Sequence, residues 1–153
     1  MSNFKYEHLE GKNFNLGVQD CFTVVHQFFY DNFGIEMENF ARPNDWDAEK
    51  DNLIEHCWPK SGFEKLDVDE HWPPRPGDIM VCNVGGSVPN HLVIYLGKNT
   101  ILHHKVGMLS GSELMRPAWK RYTSFLLRHP DVPNVLEEKP TLDLMEVYRE
   151  KLI

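Results

Sequence analysis

A capped amphipathic segment near the start of the chain places the strongest restriction on its fold. From Cys21 onward, apolar side chains follow the i, i+3, i+4, i+7, i+8 spacing of one buried helical face: Cys21, Val24, Val25, Phe28 and Phe29. Asp20 stands where an N-cap is preferred, and Gly34 stands where a left-handed residue commonly ends a helix. Such a helix needs a second layer to cover its apolar face, so the remaining sequence must supply one.

The second half of the chain supplies that layer as β-strands. Three prolines in "HWPPRPGDIMVCNV" exclude a helix there, and the residues after them predict a strand over Ile79–Val84. Further strands are predicted in "NHLVIYLG", "TILHHK" and "SFLLRH". Short turns between the first three favour an antiparallel meander. One helix ahead of antiparallel strands predicts an α+β domain with the helix packed on the sheet.

Composition limits the classes of partner. The formal charge of −7 arises from 23 acidic and 16 basic residues without a long basic run, which argues against nucleic acid as a partner. No stretch reaches the roughly 18 to 20 apolar residues of a membrane span, and the N-terminus lacks the apolar core of a signal peptide. We therefore expect no membrane span and delivery by another route. Three widely spaced cysteines fit neither a disulfide framework nor a paired zinc site and indicate a reducing compartment.

The 153 residues are expected to form one domain and a tail. Residues 1–130 are predicted to be the domain, and residues 131–153 an extended proline-containing linker with a short terminal helix that docks on a partner or on its own domain. Between Glu36 and Glu55, seven acidic residues accompany two basic ones. We interpret that stretch as a solvated face, with a second helix predicted over Ala48–Cys57.

Cys21 has two interpretations. A thiol in the first helical turn lies near exposed N–H groups and the positive end of the helix dipole, which favours the thiolate and lowers its pKa from ~8.5 toward ~3.5 to 7.5 when a cation is near. The adjacent Asp20 carboxylate partly opposes this effect. The alternative is a packed side chain on the apolar stripe. A nucleophilic cysteine needs a histidine that folding brings close.

The strand histidines are candidates for that base. His91 opens one strand, and His103 and His104 lie in the next. Alternation turns His91 to the opposite face from Leu92. A three- or five-residue loop pairs His91 with His103, whereas a two-residue loop at Lys98-Asn99 brings His104 to that face instead. The local pattern leaves this choice open.

Metal and carboxylate chemistry have weaker support. His91, His103, His104 and Cys82 are potential zinc ligands, but adjacent histidines in a strand point to opposite faces and there is no HExxH motif. Paired acids among Glu36, Glu38 and residues 45–51 suit glycoside hydrolysis, although acids this frequent pair by chance. We expect no metal and no organic cofactor.

The ordered set of motifs resembles a known family. A helix-starting "DCF", then "PRPGDIMVCN", "NHLVIYLG" and "ILHH", resembles the NlpC/P60 family of papain-like cysteine peptidases. More narrowly, "HLEGKNFNLGVQDCFTVV", "YDNFGIEMENFARPNDW", "PNHLVIYLGKNTILHH" and "LLRH" are similar to its tail-tip hydrolase branch in long-tailed bacteriophages. The likeness covers about residues 5 to 130 and implies a papain-like α+β fold.

The resemblance also implies residue roles. It assigns the nucleophile to Cys21, the imidazole base to His91 and the third polar residue to His103, and thereby chooses His103 over His104. Asp20 matches an acidic residue that commonly precedes the nucleophile, and we interpret it as a cap or an orienting group. His26, His56, His71 and His129 are interpreted as surface or structural residues, and Cys57 and Cys82 as inert thiols.

The function implied by the resemblance is hydrolysis of peptide-stem bonds in peptidoglycan while phage DNA enters the cell. The expected partners are the peptide stems and tail hub or tail-tip proteins. The expected location is the virion tail tip, assembled in the host cytoplasm and acting in the periplasm or cell wall. Two alternatives are a structural tail-tip protein with a dispensable or blocked site, and a cellular cell-wall amidase or acyltransferase.

Overall fold

A six-stranded antiparallel sheet forms one layer of the protein. The structure, a computed structural model, describes residues 4–42, 46–47 and 52–134. The strands are β1 (Glu64–Leu66), β2 (Ile79–Cys82), β3 (His91–Gly97), β4 (Thr100–His103), β5 (Gly111–Leu114) and β6 (Thr123–Arg128). Their order across the sheet is β1-β6-β2-β3-β4-β5, so the last strand returns to pair with β2 and β1.

In the described ranges, four helices accompany the sheet: α1 (Cys21–Phe33), α2 (Leu53–Cys57), α3 (Val68–His71) and α4 (Ala118–Tyr122). Two 3-10 turns occupy Glu7–Leu9 and Trp58–Ser61. Within the residues that the structure describes, no helix is long and apolar enough to cross a membrane.

Helix α1 begins and ends at the residues that the sequence indicates. The Asp20 side chain accepts a hydrogen bond from the Thr23 backbone N–H, and Gly34 closes the helix in a left-handed conformation with φ 66°. The apolar stripe from Cys21 to Phe29 is buried against Leu92, Ile94, Leu96 and Leu102 on one face of the sheet. This layer contains the larger part of the core.

The opposite face of the sheet carries a second core, and the start of β3 borders both. Val93 and Tyr95 face a cluster that includes Met80, Ile101 and Trp119. Every residue of β3 is buried, because α1 covers one face and the Trp119 cluster the other. The predicted alternation between His91, Val93 and Tyr95 and the intervening leucines and isoleucine is therefore confirmed.

The turn in "PRPGD" is tied to the last strand. The Asp78 carboxylate accepts a hydrogen bond from the Arg75 backbone N–H at 2.8 Å. Arg128 of β6 donates to both oxygens of the same carboxylate, at 2.9 and 2.7 Å. A bidentate pair of this kind fixes orientation as well as distance, so it holds the entry to β2 against β6.

The α+β prediction is confirmed, with differences in its details. The predicted strand over Ile79–Val84 ends at Cys82. Helix α2 lies within the predicted helix over Ala48–Cys57, of which residues 48–51 lie outside the described residues. Strands β1 and β5 and helices α3 and α4 were not predicted, because each is short and lacks a long periodic pattern. The predicted terminal helix lies outside the described residues, and the boundary at residue 130 stays a prediction.

Candidate active site

The Cys21 sulfur lies where the N-terminus of α1 meets the start of β3. Cys21 is the first residue of the helix and is 4% exposed. The Leu92 backbone N–H donates a hydrogen bond toward its sulfur. Leu92 follows His91 directly. Cys82 of β2 pairs with His91 and lies close enough to Cys21 for a charge on that sulfur to raise the pKa of Cys82. The fold therefore brings Cys21 and His91 to the same end of β3.

The pKa of Cys21 moves in the opposite direction to the one expected from its sequence position. Burial raises the pKa of the thiol to about 12, and the Asp20 carboxylate also raises it, while the Leu92 N–H and Arg42 act the other way. The helix start does not compensate for the removal of the sulfur from water. The expected low-pKa thiolate is thus wrong for this conformation, and the thiol is neutral at rest.

His91 and His103 form a buried hydrogen-bonded pair. The Nε2 atom of His91 lies 2.8 Å from Nδ1 of His103. Trp119 of α4 packs against both rings, with centroids 6.4 Å from His91 and 5.2 Å from His103. Burial, together with the positive charges that His103, Lys105 and His104 can carry, lowers the pKa of His91 to about 3. The imidazole is therefore neutral, as a general base must be.

The register of the β3–β4 hairpin depends on a β-bulge as well as on the length of its turn. Lys98 and Asn99 form a two-residue turn with φ of 49° and 60°, which by itself brings His104 to the face of His91. However, the register shifts between Tyr95 and Gly97, so that β3 contains one extra residue. This bulge pairs Val93 with His103 and returns His103 to the face of His91.

His104 directly follows the last residue of β4 and makes different contacts from His103. Its Nε2 lies 2.8 Å from the Met108 carbonyl oxygen, and the Phe14 ring packs edge-on against it. The residue is 1% exposed. Together with Lys12, Gln19 and Gln27, it lines a cleft of about 310 Å³ beside the start of α1.

Asp20 is held by an arginine that the sequence argument missed. Arg42 donates from Nε and Nη2 to the two carboxylate oxygens, at 3.0 and 3.1 Å, and both side chains are at most 2% exposed. The Gly17 and Thr23 backbone N–H groups donate to the same carboxylate. Burial alone raises the pKa of Asp20, but these hydrogen bonds outweigh it and the pKa is lowered. Asp20 is therefore a paired N-cap, and its carboxylate is engaged on both oxygens.

Removing the guanidinium of Arg42 is expected to destabilise the domain. In Arg42→Met an apolar side chain is kept, but the guanidinium that lies over the Phe22 ring is lost and the Asp20 carboxylate stays buried without its cation. We expect a loss of about 3 to 5 kcal/mol in the free energy of unfolding at pH 7, measured by urea denaturation. The folded pKa of Asp20 lies below 3.8, so the ion pair stabilises above that pH and its contribution is lost as the pH falls through the folded pKa. The difference from the wild type should therefore shrink in acid.

Lys65→Met provides a matched control, because the Lys65 ammonium also lies over an aromatic ring, that of Phe125, but on an exposed side chain. It should lose less than about 1 kcal/mol. The double variant Asp20→Asn/Arg42→Met should recover part of the loss, since no unpaired charge is left. Equal effects of Arg42→Met and Lys65→Met would contradict a structural role for the ion pair.

Within the part of the chain that the structure describes, the remaining thiols and the candidate metal ligands do not assemble into a site, and the acidic residues at 45, 49 and 51 lie outside that part. Burial raises the pKa of Cys82 to about 12 and that of Cys57 to about 11, which fits their interpretation as inert thiols. Across residues 4–42, 46–47 and 52–134, the structure contains no group of three His, Cys, Asp or Glu residues that could hold a metal ion.

Arg42, Trp119 and Glu113 surround the predicted site residues but were not predicted. Arg42 lies in the acidic stretch interpreted as a solvated face; Glu36 and Glu38 are indeed exposed, whereas the Arg42 side chain is not. The Glu113 carboxylate lies 3.0 Å from Nε2 of His103. No local pattern marks these residues, because each reaches its partner through tertiary folding.

Comparison with known proteins agrees with this architecture. The model of the NlpC/P60 family matches residues 5–128. The chain belongs to the NlpC/P60 family. Within the matched range lie the N-terminal helix of this NlpC/P60 domain, all six strands of its sheet and the paired histidines.

Two curated relatives are named "Tail tip assembly protein K". That of Escherichia phage lambda is 38% identical over 122 residues, which cover 80% of this chain and 59% of the relative. That of Escherichia phage N15 is 32% identical over 121 residues, which cover 78% of this chain and 48% of the relative. The chain thus spans about half the length of the curated relatives that it matches.

Proposed function

We propose that this chain is a cysteine peptidase of a phage tail tip that cleaves peptide-stem bonds of peptidoglycan. The observation that carries the proposal is the buried His91–His103 hydrogen bond at the end of β3 where α1 presents Cys21. A thiol at a helix N-terminus and an imidazole oriented by a third polar group are the parts that thiol-based acyl transfer requires. Family membership supports this reading of the three residues.

The proposed reaction starts from a neutral pair. Because the pKa of Cys21 is raised and that of His91 is lowered, proton transfer from thiol to imidazole accompanies attack on the carbonyl and does not precede it. The Cys21 sulfur forms a bond to the carbonyl carbon, and the protonated His91 then donates its proton to the leaving amine. Water hydrolyses the resulting thioester with His91 as the base, which regenerates the thiol.

Two features of the site stabilise this reaction. His103 holds His91 in one orientation through the 2.8 Å hydrogen bond, and Trp119 packs against both rings and helps to keep water from them. The negative charge on the tetrahedral oxygen is met by the backbone N–H of Cys21 at the start of the helix, where the dipole favours negative charge.

Tail-tip location and cell-wall substrate are both part of the proposal. The names of the two relatives describe tail-tip assembly proteins, which supports assembly in the host cytoplasm with tail hub or tail-tip partners. The substrate class, peptide or isopeptide bonds in the stems such as that between D-glutamate and diaminopimelate, follows from the family resemblance. The action would then take place in the periplasm or cell wall of the infected cell.

Incubation of the purified protein with defined muropeptides tests the proposal directly. New termini identified by mass spectrometry are expected at one bond of the peptide stem. The absence of products from any stem chemistry, with the protein folded by circular dichroism, would contradict the peptidase assignment.

A structural tail-tip protein is the second candidate, and one observation favours it. The Cys21 sulfur is nearly excluded from solvent, and burial disfavours its reactive form. Under this alternative, a phage that carries Cys21→Ala assembles tails and infects as well as the wild type. Under the peptidase proposal, the same phage assembles normal tails but infects poorly.

The segment after residue 130 is proposed to dock the domain on a tail protein. Val132 still packs against the main core, so a truncation after Asn134 tests the proposal without removing that contact. We expect the truncated chain to keep its melting temperature and its activity on muropeptides yet fail to enter particles, as measured by immunoblotting of purified virions. A large loss of melting temperature would show that the segment belongs to the domain's own core.

A further inference from the structure

The hydrogen-bond chain of the site continues past His103 to a carboxylate. The Oε2 atom of Glu113 lies 3.0 Å from Nε2 of His103, while Nδ1 of His103 lies 2.8 Å from Nε2 of His91. In the β4–β5 register His103 pairs with Gly111, so Glu113 is the diagonal neighbour two residues along. The three side chains therefore form one line from the sheet edge to the base.

We propose that Glu113 is a positioning residue that sets the direction of proton donation through both histidines and so makes Nδ1 of His91 the basic nitrogen. This inference rests on the proposed peptidase function. Glu113 touches neither the nucleophile nor the base, and it acts through His103.

The direction follows from the donor inventory of each group. A carboxylate has only acceptor oxygens, so the proton of the contact between Glu113 and His103 must lie on Nε2 of His103. A neutral imidazole has one N–H, so Nδ1 of His103 is then an acceptor. The contact between His103 and His91 therefore takes its proton from Nε2 of His91, which leaves the His91 lone pair on Nδ1.

The neutrality of both rings is a condition of this assignment. Burial lowers the pKa of His103, and Lys105 and His104 act in the same direction, while Glu113 acts against them. The net lowering leaves His103 with one ring proton at neutral pH. The pKa of His91 is lowered to about 3, so that ring also carries one proton. Without a carboxylate, either ring can donate to the other: Nε2 of His91 to Nδ1 of His103, or Nδ1 of His103 to Nε2 of His91. The hydrogen bond between the rings forms in both cases.

The packing of Trp119 holds the histidine rings in place but does not select their tautomers. His103 is buried and packs its ring edge-on against Trp119, but an indole face does not distinguish the two nitrogens. The Glu113 side chain is 47% exposed. A substitution there is therefore expected to leave the core intact, so that its effect on the tautomers can be measured in a folded protein.

Nitrogen-15 NMR of the histidine rings tests the inference without any substrate. Long-range proton–nitrogen spectra distinguish protonated from unprotonated ring nitrogens. In the wild type we expect protons on Nε2 of both His91 and His103. In Glu113→Ala we expect signals from the reverse tautomers, with Nδ1 protonated in a measurable fraction of molecules. The matched control, Glu70→Gln, changes an exposed carboxylate of α3 and should reproduce the wild-type spectrum.

Kinetics provides the second readout. Glu113→Ala should lower kcat by about 10- to 100-fold with little change in KM, because the variant loses orientation of the base and keeps the binding surface. Glu113→Gln retains one acceptor oxygen but adds a donor, so an intermediate kcat and mixed tautomers are expected.

The outcomes separate this inference from the proposed function. A wild-type spectrum with Nδ1 of His103 protonated would overturn the role of Glu113 even if hydrolysis is observed, as would unchanged tautomers in Glu113→Ala. Correct tautomers in a protein that hydrolyses no muropeptide would support the positioning role and contradict the peptidase function instead.

Discussion

Replacing Cys21 with alanine is expected to abolish hydrolysis of muropeptides, with kcat/KM falling by roughly 10⁴- to 10⁶-fold. The proposed chemistry passes through a thioester on this sulfur, and neither His91 nor His103 can form an equivalent acyl intermediate in its place. Time courses analysed by mass spectrometry measure the loss. A thioester adduct at Cys21 should also appear in the wild type when a slow substrate is used, and not in the variant.

The fold should survive this change, because alanine removes only one buried sulfur. The melting temperature is expected to fall by no more than a few degrees. Cys57→Ala is the matched control, since that thiol also has a raised pKa but lies outside the proposed site. Retained turnover in Cys21→Ala, or an equal loss in Cys57→Ala, would end the assignment of Cys21 as the nucleophile.

The helix and the three strands of the meander were predictable because each carries its own periodic signal. The stripe from Cys21 to Phe29, with the Asp20 cap and the Gly34 stop, fixes α1 from local sequence alone. Strand β5 carries no such signal, because its residues are half-buried or exposed and include a glycine and a serine. That strand nevertheless carries Glu113, which hydrogen-bonds to His103. The residue of the hydrogen-bonded line that lies farthest from His91 was therefore also the least predictable.

The register of the β3–β4 hairpin shows where local rules stop. The length of the turn does help to decide which histidine shares the face of His91, and the structure contains a two-residue turn at Lys98-Asn99. One bulged residue on β3 reverses the consequence, because a shift of one residue exchanges the two faces of a strand. The resemblance to the family selected His103 where the turn rule left two histidines open, and the 2.8 Å contact to His91 agrees with that selection.

The electrostatics of the site could not be predicted from residue order. The position of Cys21 at a helix N-terminus predicts a lowered pKa, but tertiary burial raises it. Similarly, the acidic stretch around Arg42 indicates solvent exposure, but tertiary folding places its guanidinium against the Asp20 carboxylate. Both differences arise from packing between segments that are distant in sequence: Cys21 is buried beside Leu92, and Arg42 pairs with Asp20.

Alanine substitution is expected to separate the two neighbouring histidines of β4 and its exit by their effects on catalysis. His103→Ala should lower kcat by about 10²- to 10⁴-fold, because His91 loses the partner that fixes its tautomer and orientation. His104→Ala should keep kcat near the wild-type value, because His104 contacts Met108 and Phe14 on the other side of the strand. Both constants are measured on the same muropeptide at a temperature where each variant is folded.

Stability should distinguish the variants less than activity does. His104 is almost completely buried and donates from Nε2 to the Met108 carbonyl oxygen, so His104→Ala is expected to cost about 2 to 4 kcal/mol in the free energy of unfolding. His103 is also buried, and its removal should have a similar cost. A loss of activity that merely followed stability would therefore appear in both variants.

His103→Asn provides the decisive comparison at the third position. An asparagine side-chain oxygen can accept a hydrogen bond from the Nε2–H of His91, so this variant should recover part of the activity lost in His103→Ala. The corresponding His104→Asn should leave kcat unchanged. If His104→Ala were the catalytically impaired variant and His103→Ala the active one, the register given by the β3 bulge would be wrong by one residue, and the proposed line from Glu113 through His103 to His91 would be wrong with it.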